Sequence, residues 1–175
     1  MRGLSPLDVR TDLATIRHNE VYSGKKIRLP LTVYKQERTV FVTISTHHRQ
    51  KWFLDFPSLA QDASNVLIKT AQERAASIYA WCIMPDHVHL LVGDDNIVSF
   101  VRTFKGRLVP KARALSPKRK LWQRSFYDHI LRRAESVVDV AGYIFENPIR
   151  SGLVVRPGLD HRFGRNVQFC RHHLA

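Results

Sequence analysis

His87 and His89 stand two residues apart inside the apolar, β-branched run YAWCIMPDHVHLLVG at 79–93. Side chains on a strand alternate with a period of two, so both imidazoles leave one face while Val88 leaves the other. Two imidazoles side by side on a rigid strand make half of a divalent-metal site. One core histidine beside one solvated histidine would satisfy the same pattern. Pro85 and Asp86 suit a tight turn, so the segment reads strand, turn, strand, with Asp86 taken as part of the turn.

A second group with chemical potential lies further along, in a predicted helix over 136–146. Ser136 is its expected cap, and Asp139 completes a spacing like that of a capping box. Tyr143 and Asn147 are four apart and share a helix face. Asn147 offers a carboxamide oxygen, a hard ligand suited to Mg²⁺ or Mn²⁺. Tyr143 offers a phenol at the edge of the apolar stripe of Val137, Val140, Ala141 and Ile144. Taken alone, a helical tyrosine is a packing residue, and Asn147–Pro148 is a helix stop, because the residue before proline is pushed out of the helical region.

These groups have to be positioned by elements the sequence also marks. TVFVTIST at 39–46 is β-branched and aromatic throughout and predicts a strand, closed by His47, His48 and Arg49. Apolar residues spaced mostly three and four apart predict a helix over 59–78. Strands follow at 78–83 and 87–92. Asp94 or Asp95 is expected to cap a helix over 96–108, carrying Ile97, Val98, Val101, Phe104 and Leu108, with Pro110 marking its end. A basic loop covers 111–120, and 122–131 leads into a fourth strand. The order is strand, helix, strand, strand, helix, strand, helix. Its first six elements match an α+β, ferredoxin-like split βαβ sheet with helices on one face. The last helix is additional.

The 175 residues carry 28 Lys and Arg against 15 Asp and Glu, a net charge of +13. A folded domain this basic points to nucleic acid or an anionic membrane surface. No apolar run approaches the about 18 residues that span a bilayer, and the N-terminus lacks a signal-peptide core. A cytoplasmic, nucleoid-associated protein is expected. Hydrophobic residues make up 44%, enough for a packed core. Cys82 and Cys170 form no CxxC pair, which argues against a zinc ribbon or finger. Cys82 reads as a small buried residue.

MPDHVHLLV followed by GYIFENPIRSGLV resembles the single-tyrosine HUH transposases, in particular the REP-associated tyrosine transposase branch. HUH stands for His, bulky hydrophobic, His, here His87–Val88–His89. The resemblance runs from about residue 33 to about residue 155 and includes TVFVTISTHHR, the Trp122–Gln123–Arg124 segment and the YIxxNP ending. It implies a ferredoxin-like catalytic domain. Tyr143 would be the nucleophile, with His87, His89 and Asn147 holding Mg²⁺ or Mn²⁺. The implied substrate is single-stranded DNA with short imperfect hairpins, cut through a 5′-phosphotyrosine link that leaves a free 3′-OH. A phenol is a weak nucleophile at its ordinary pKa of about 10, and a metal on the scissile phosphate would compensate. The covalent link keeps the phosphodiester energy available for joining another 3′-OH. No general base is identified; His129, His47 and His48 are minor candidates for the site. The resembled proteins include dimers and monomers, so monomer or homodimer is left open.

DNA contacts are expected from a basic strip of Lys105, Arg107, Lys111, Arg113, Lys118, Arg119 and Lys120, extended by Arg132 and Arg133. A solvated helix face would look the same. Trp122, Phe126 and Tyr127 offer rings for stacking unpaired bases or, equally, for filling a core. The expected layout is an N-terminal extension over 1–37, with a short helix near 8–17, a catalytic domain over 38–155 and a basic, irregular tail over 156–175. Two other functions share this pattern. A hairpin-binding module that does not cut would not require Tyr143 or His87. A metal-dependent nuclease using activated water would leave no covalent adduct.

Overall fold

The computed structural model describes residues 39–132 and 135–153 and the backbone of 167–169. The expected N-terminal extension and its short helix, Arg133, Cys170 and most of the basic tail lie outside the described residues.

Strand β1 (Thr39–Ser45) is followed by a 3-10 turn at His47–Arg49, the one-turn helix α1 (Trp52–Asp55) and the long helix α2 (Pro57–Arg74). Strands β2 (Ser77–Met84) and β3 (His87–Gly93) form a hairpin, and helix α3 (Ile97–Leu115) crosses back to β4 (Tyr127–Ile130). Helix α4 (Val137–Arg150) and a three-residue strand, β5 (Val167–Phe169), complete the order. The sheet runs β4-β1-β3-β2-β5, and every neighbouring pair is antiparallel. This is the ferredoxin-like α+β plan expected from the element order, with β5 added beside β2 from a tail that was expected to be irregular.

Alternation divides the sheet into two faces. Val40, Val42, Ile44, Trp81, Ile83, Val88, Leu90 and Val92 point to one side and join Leu59, Ala63 and Leu67 of α2 and Phe100, Phe104 and Leu108 of α3 in the main core. His87, His89, Cys82 and Phe41 belong to the other side, and α4 covers it with buried Val140, Ala141 and Ile144. Strand β3 is therefore buried along its whole length. The expectation of helices on a single face holds for α2 and α3. The additional helix lies on the histidine face.

Several element ends differ from the sequence reading. Helix α2 stops at Arg74, where Ala75 adopts a left-handed conformation (φ 51°), because Ser77 is already paired with Gly93 in the sheet. Asn96 caps α3, accepting from the Ser99 N–H at 3.0 Å. Asp94, one of the two expected caps, instead takes a two-pronged ion pair from Arg74 at 2.9 Å for each contact. Pro110 does not end α3. It sits on the exposed side of the helix, one turn after exposed Gly106, whose carbonyl it leaves without its helical donor, and the buried stripe Phe104, Leu108, Ala112 holds the helix together beyond it. Lys111 and Arg113 are thus helical, not loop, residues. Pro148 likewise lies inside α4, which runs on to Arg150; just beyond, Gly152 takes φ 67° and its N–H bonds the Ile149 carbonyl at 2.9 Å. Ser136 caps α4 as expected, accepting from Asp139 N–H at 3.3 Å.

Candidate active site

The β2–β3 hairpin turns on Pro85 and Asp86, with Met84 paired to His87. The two histidines project together from β3, and their Nε2 atoms are 3.0 Å apart. Adjacent ligands at right angles around an ion, with bonds of about 2.1 Å, have this separation. The outer nitrogens are both engaged. His87 Nδ1 lies 2.6 Å from Asp86 Oδ1, and His89 Nδ1 lies 3.0 Å from Thr43 Oγ1. A carboxylate only accepts, so His87 carries its proton on Nδ1 and turns a lone pair at Nε2 toward His89. The Thr43 hydroxyl can accept from His89 Nδ1 or donate to it; in the tautomer where it accepts, both Nε2 lone pairs face the shared point. Such carboxylate and hydroxyl partners orient histidine ligands in metal sites.

Asp86 is held in turn by Arg49, whose Nε lies 2.9 Å from Oδ2. Burial pushes the Asp86 carboxyl up, but the hydrogen bond and charge of His87 and the charge of Arg49 outweigh it and leave the group below its ordinary range. Asp86 therefore forms the turn, as expected, and also anchors a histidine.

Helix α4 supplies the rest. The Tyr143 ring lies 6.4 Å from that of His89 and 6.3 Å from that of Phe41, centroid to centroid, and Phe41 stacks on His89 at 5.4 Å. Arg150, two turns along α4, puts its guanidinium 5.3 Å over the tyrosine ring. Asn147 is buried, and its amide nitrogen donates to the Tyr143 carbonyl at 3.0 Å. The amide oxygen is then the end suited to a cation. Among the described residues no group of three or more His, Cys, Asp or Glu side chains could hold a metal ion. A metal centre here would consist of the two imidazoles completed by another donor, for which Asn147 is the available amide on α4.

The fold thus brings His87, His89 and Tyr143 to one face, with Asn147 one helical turn away. Thr43, Phe41, Arg49 and Arg150 were missed. The first two could have been found by pairing β1 with β3, since Thr43 is opposite His89 and Phe41 opposite Leu91. His129, a minor candidate, is a structural group: its Nε2 meets Glu135 at 2.9 Å.

The expected DNA strip separates into different groups. Lys105 donates to the Gln123 carbonyl at 2.7 Å, Arg107 pairs with Glu73 and bonds Thr70, and Lys111 pairs with Asp62 at 2.8 Å. These three tie α3 to its neighbours. Arg119 is pinned between Gln50 and Asp55 and lies 4.5 Å over Trp52. Arg113, Lys118, Lys120 and Arg132 are exposed. Trp122 corrects the stacking expectation. It is 5% exposed, packs between Phe53 and Phe104, and donates its indole N–H to the Lys105 carbonyl at 3.1 Å. Phe126 is also buried, whereas Tyr127 remains exposed.

Residues 35–147, which contain all four of the central residues, match the family described as transposase, IS200 like. The chain belongs to the IS200-like transposase family. Among curated proteins, this transposase is 29% identical over 128 residues to a Haemophilus influenzae protein assigned as a REP-associated tyrosine transposase, covering 65% of this chain and 72% of that one. It is 26% identical over 125 residues to the REP-associated tyrosine transposase of Escherichia coli K12, covering 69% and 72%. A solved REP-associated tyrosine transposase bound to a REP hairpin shares the fold, with TM-score 0.59, 23% identity, and coverage of 75% of this chain and 77% of that one. Among the described residues of the transposase, no helix is long and apolar enough to cross a membrane.

Proposed function

We propose that this transposase cuts and rejoins single-stranded DNA beside short hairpins, using Tyr143 as nucleophile. The observation that carries the reading is the 6.4 Å separation of the Tyr143 and His89 rings on one face of the sheet. That separation lies within one chain and favours action in cis. The REP-associated relatives support a hairpin substrate.

His87 and His89, through Nε2, and Asn147, through its amide oxygen, would hold a divalent cation such as Mg²⁺ or Mn²⁺. When bound, such an ion would draw negative charge from the scissile phosphate. Asp86 and Thr43 keep the two imidazoles turned toward their shared point. The phenol oxygen of Tyr143 forms a bond to phosphorus, and the bond from phosphorus to the 3′ oxygen breaks. The phenol proton is lost and the departing 3′ oxygen gains one, leaving a 5′-phosphotyrosine and a free 3′-OH. Attack by another 3′-OH reverses the balance and joins the strands. Buried Val140, Ala141 and Ile144 seat α4 on the sheet and so set where the phenol stands.

The test is a denaturing gel of end-labelled hairpin DNA incubated with Mg²⁺ or Mn²⁺ and wild type, Tyr143→Phe or His87→Ala protein. A covalent adduct lost in both variants supports the reading. Cleavage that survives Tyr143→Phe would replace it with a water-activating nuclease. Salt-sensitive binding without cleavage would replace it with a binding module.

A further inference from the structure

One end of the sheet carries a basic ledge that joins the last part of the expected strip, Lys118 to Lys120, to the turn after β1. It is made from the turn after β1 and the loop before β4, two segments far apart in sequence. The Thr46 and Trp122 backbones bridge, His47 N–H bonds the Leu121 carbonyl at 2.9 Å, and the Trp52 indole donates to the Lys120 carbonyl at 3.2 Å. Arg119 cross-links the two segments through Gln50 and Asp55. The ledge is therefore one rigid surface. Its segments, 46–56 and 116–124, contain Arg49, Lys51, Lys118, Arg119, Lys120 and Arg124 with Asp55 as the single acid, and Asp55 is taken by Arg119. Lys51, Lys118 and Lys120 are exposed.

The ledge abuts the candidate site. Thr46 N–H and Oγ1 both bond the Asp86 carbonyl at 2.9 Å, and Arg49 reaches the Asp86 carboxylate that holds His87. His48 and Arg49 both adopt positive φ (51° and 55°), a conformation that non-glycine residues rarely take in succession. The turn is held by the Thr46 bonds to the Gln50 and Asp86 carbonyls and carries Arg49 to the Asp86 carboxylate. The rings of His47 and His48 are 4.0 Å apart at its border. Burial, then the charges of His48 and Lys120, hold His47 below its ordinary pKa, which keeps its ring neutral and suited to a base face.

We propose that this ledge grips the single-stranded DNA next to the scissile phosphate, with Lys51, Lys118 and Lys120 on successive phosphates and His47 and His48 against an unpaired base. The inference rests on the DNA-cutting reading and adds the route by which the strand reaches the site. It favours single-stranded over duplex DNA because unpaired bases expose faces to side-chain rings and a base-paired stem does not.

The test is fluorescence anisotropy with a labelled hairpin bearing a single-stranded extension, and with the same hairpin blunt-ended, across a salt series in EDTA. The variants are Lys51→Gln/Lys118→Gln/Lys120→Gln and, as a control, Lys69→Gln/Arg102→Gln, exposed on the helical layer. Each single-strand phosphate contact contributes about 0.7 to the salt slope, so the triple variant should lower that slope by about 2 on the extended hairpin. Its affinity there should fall at least about tenfold, with little change on the blunt hairpin and little change in the control. An unchanged slope in the triple variant, with wild type binding normally, overturns the ledge alone. Equal losses on both hairpins overturn the assignment to single strand. Wild type that binds neither hairpin would sink the DNA-cutting reading itself. Thermal melts that match wild type establish that each variant is folded.

Discussion

The carboxylate of Asp86 lies 2.6 Å from Nδ1 of His87, and the same carboxylate is held from its other oxygen by Arg49. The residue that turns the hairpin also aims the first histidine, so the geometry of the hairpin and that of the histidine pair cannot vary independently. Replacing Asp86 with alanine should weaken Mn²⁺ binding about 10–100-fold in isothermal titration, the usual cost of losing an outer partner. Asp86→Asn, which keeps an acceptor for the histidine proton, should fall between. Unchanged affinity in Asp86→Ala would show that the carboxylate serves the turn alone.

Trp122 is expected to matter for folding and not for DNA. Trp122→Phe keeps an aromatic ring between Phe53 and Phe104 but loses the indole bond to the Lys105 carbonyl. Urea unfolding should show a loss of about 0.5–1.5 kcal/mol, with some addition for imperfect filling. Hairpin affinity at fixed salt should be unchanged. A marked loss of affinity with no loss of stability would return the ring to a stacking role.

The Cys82 thiol is buried on the histidine face, and burial pushes it up to about 12. The thiolate is the reactive form, so the group should be inert in the native protein. In a Cys170→Ser background, a thiol reagent should label Cys82 only slowly at neutral pH, at the rate at which α4 opens, and at once when guanidinium is added, one group per chain. Rapid native labelling would mean that α4 opens readily over this face.

Glu135 joins β4 to α4 by accepting from His129 and from the Arg132 N–H. Burial pushes its carboxyl up, but those hydrogen bonds and the charges of His129 and Arg132 outweigh it and leave the group below its ordinary value. A carboxyl with a lower pKa in the folded state stabilises above its unfolded pKa and loses that stabilisation as pH falls through the folded one. Glu135→Gln should therefore lower Tm at pH 7, and the difference should shrink below about pH 4. A difference that persists unchanged in acid would assign the effect to shape and not to charge.

Much of this arrangement was legible because strands impose a period of two. His87 and His89 had to share a face, and TVFVTIST had to be a strand beside them. The four-residue spacing of Tyr143 and Asn147 put them on one helical face for the same kind of reason. What the sequence reading missed depends on pairing between distant segments. Arg49 and Asp86 are brought together by the β1–β3 pairing, and nothing local in either segment announces it. Lys105, Arg107 and Lys111 resembled a free basic strip because the acids and carbonyls that engage them come from α2 and the loop before β4. The prolines misled for a different reason. Pro110 and Pro148 each remove a single helical bond, and packing of the following turn compensates, as buried Ala112 does beyond Pro110.

The two faces of the sheet have different owners. The face toward α2 and α3 carries the large apolar core, whereas the histidine face is closed by one helix seated on Val140, Ala141 and Ile144. Parts of a protein with smaller apolar contacts can open without global unfolding. Backbone amides of α4 should then exchange with deuterium by a cheaper route than those of β1 and β3. The protein could release or rebind its tyrosine helix many times within the lifetime of one folded sheet.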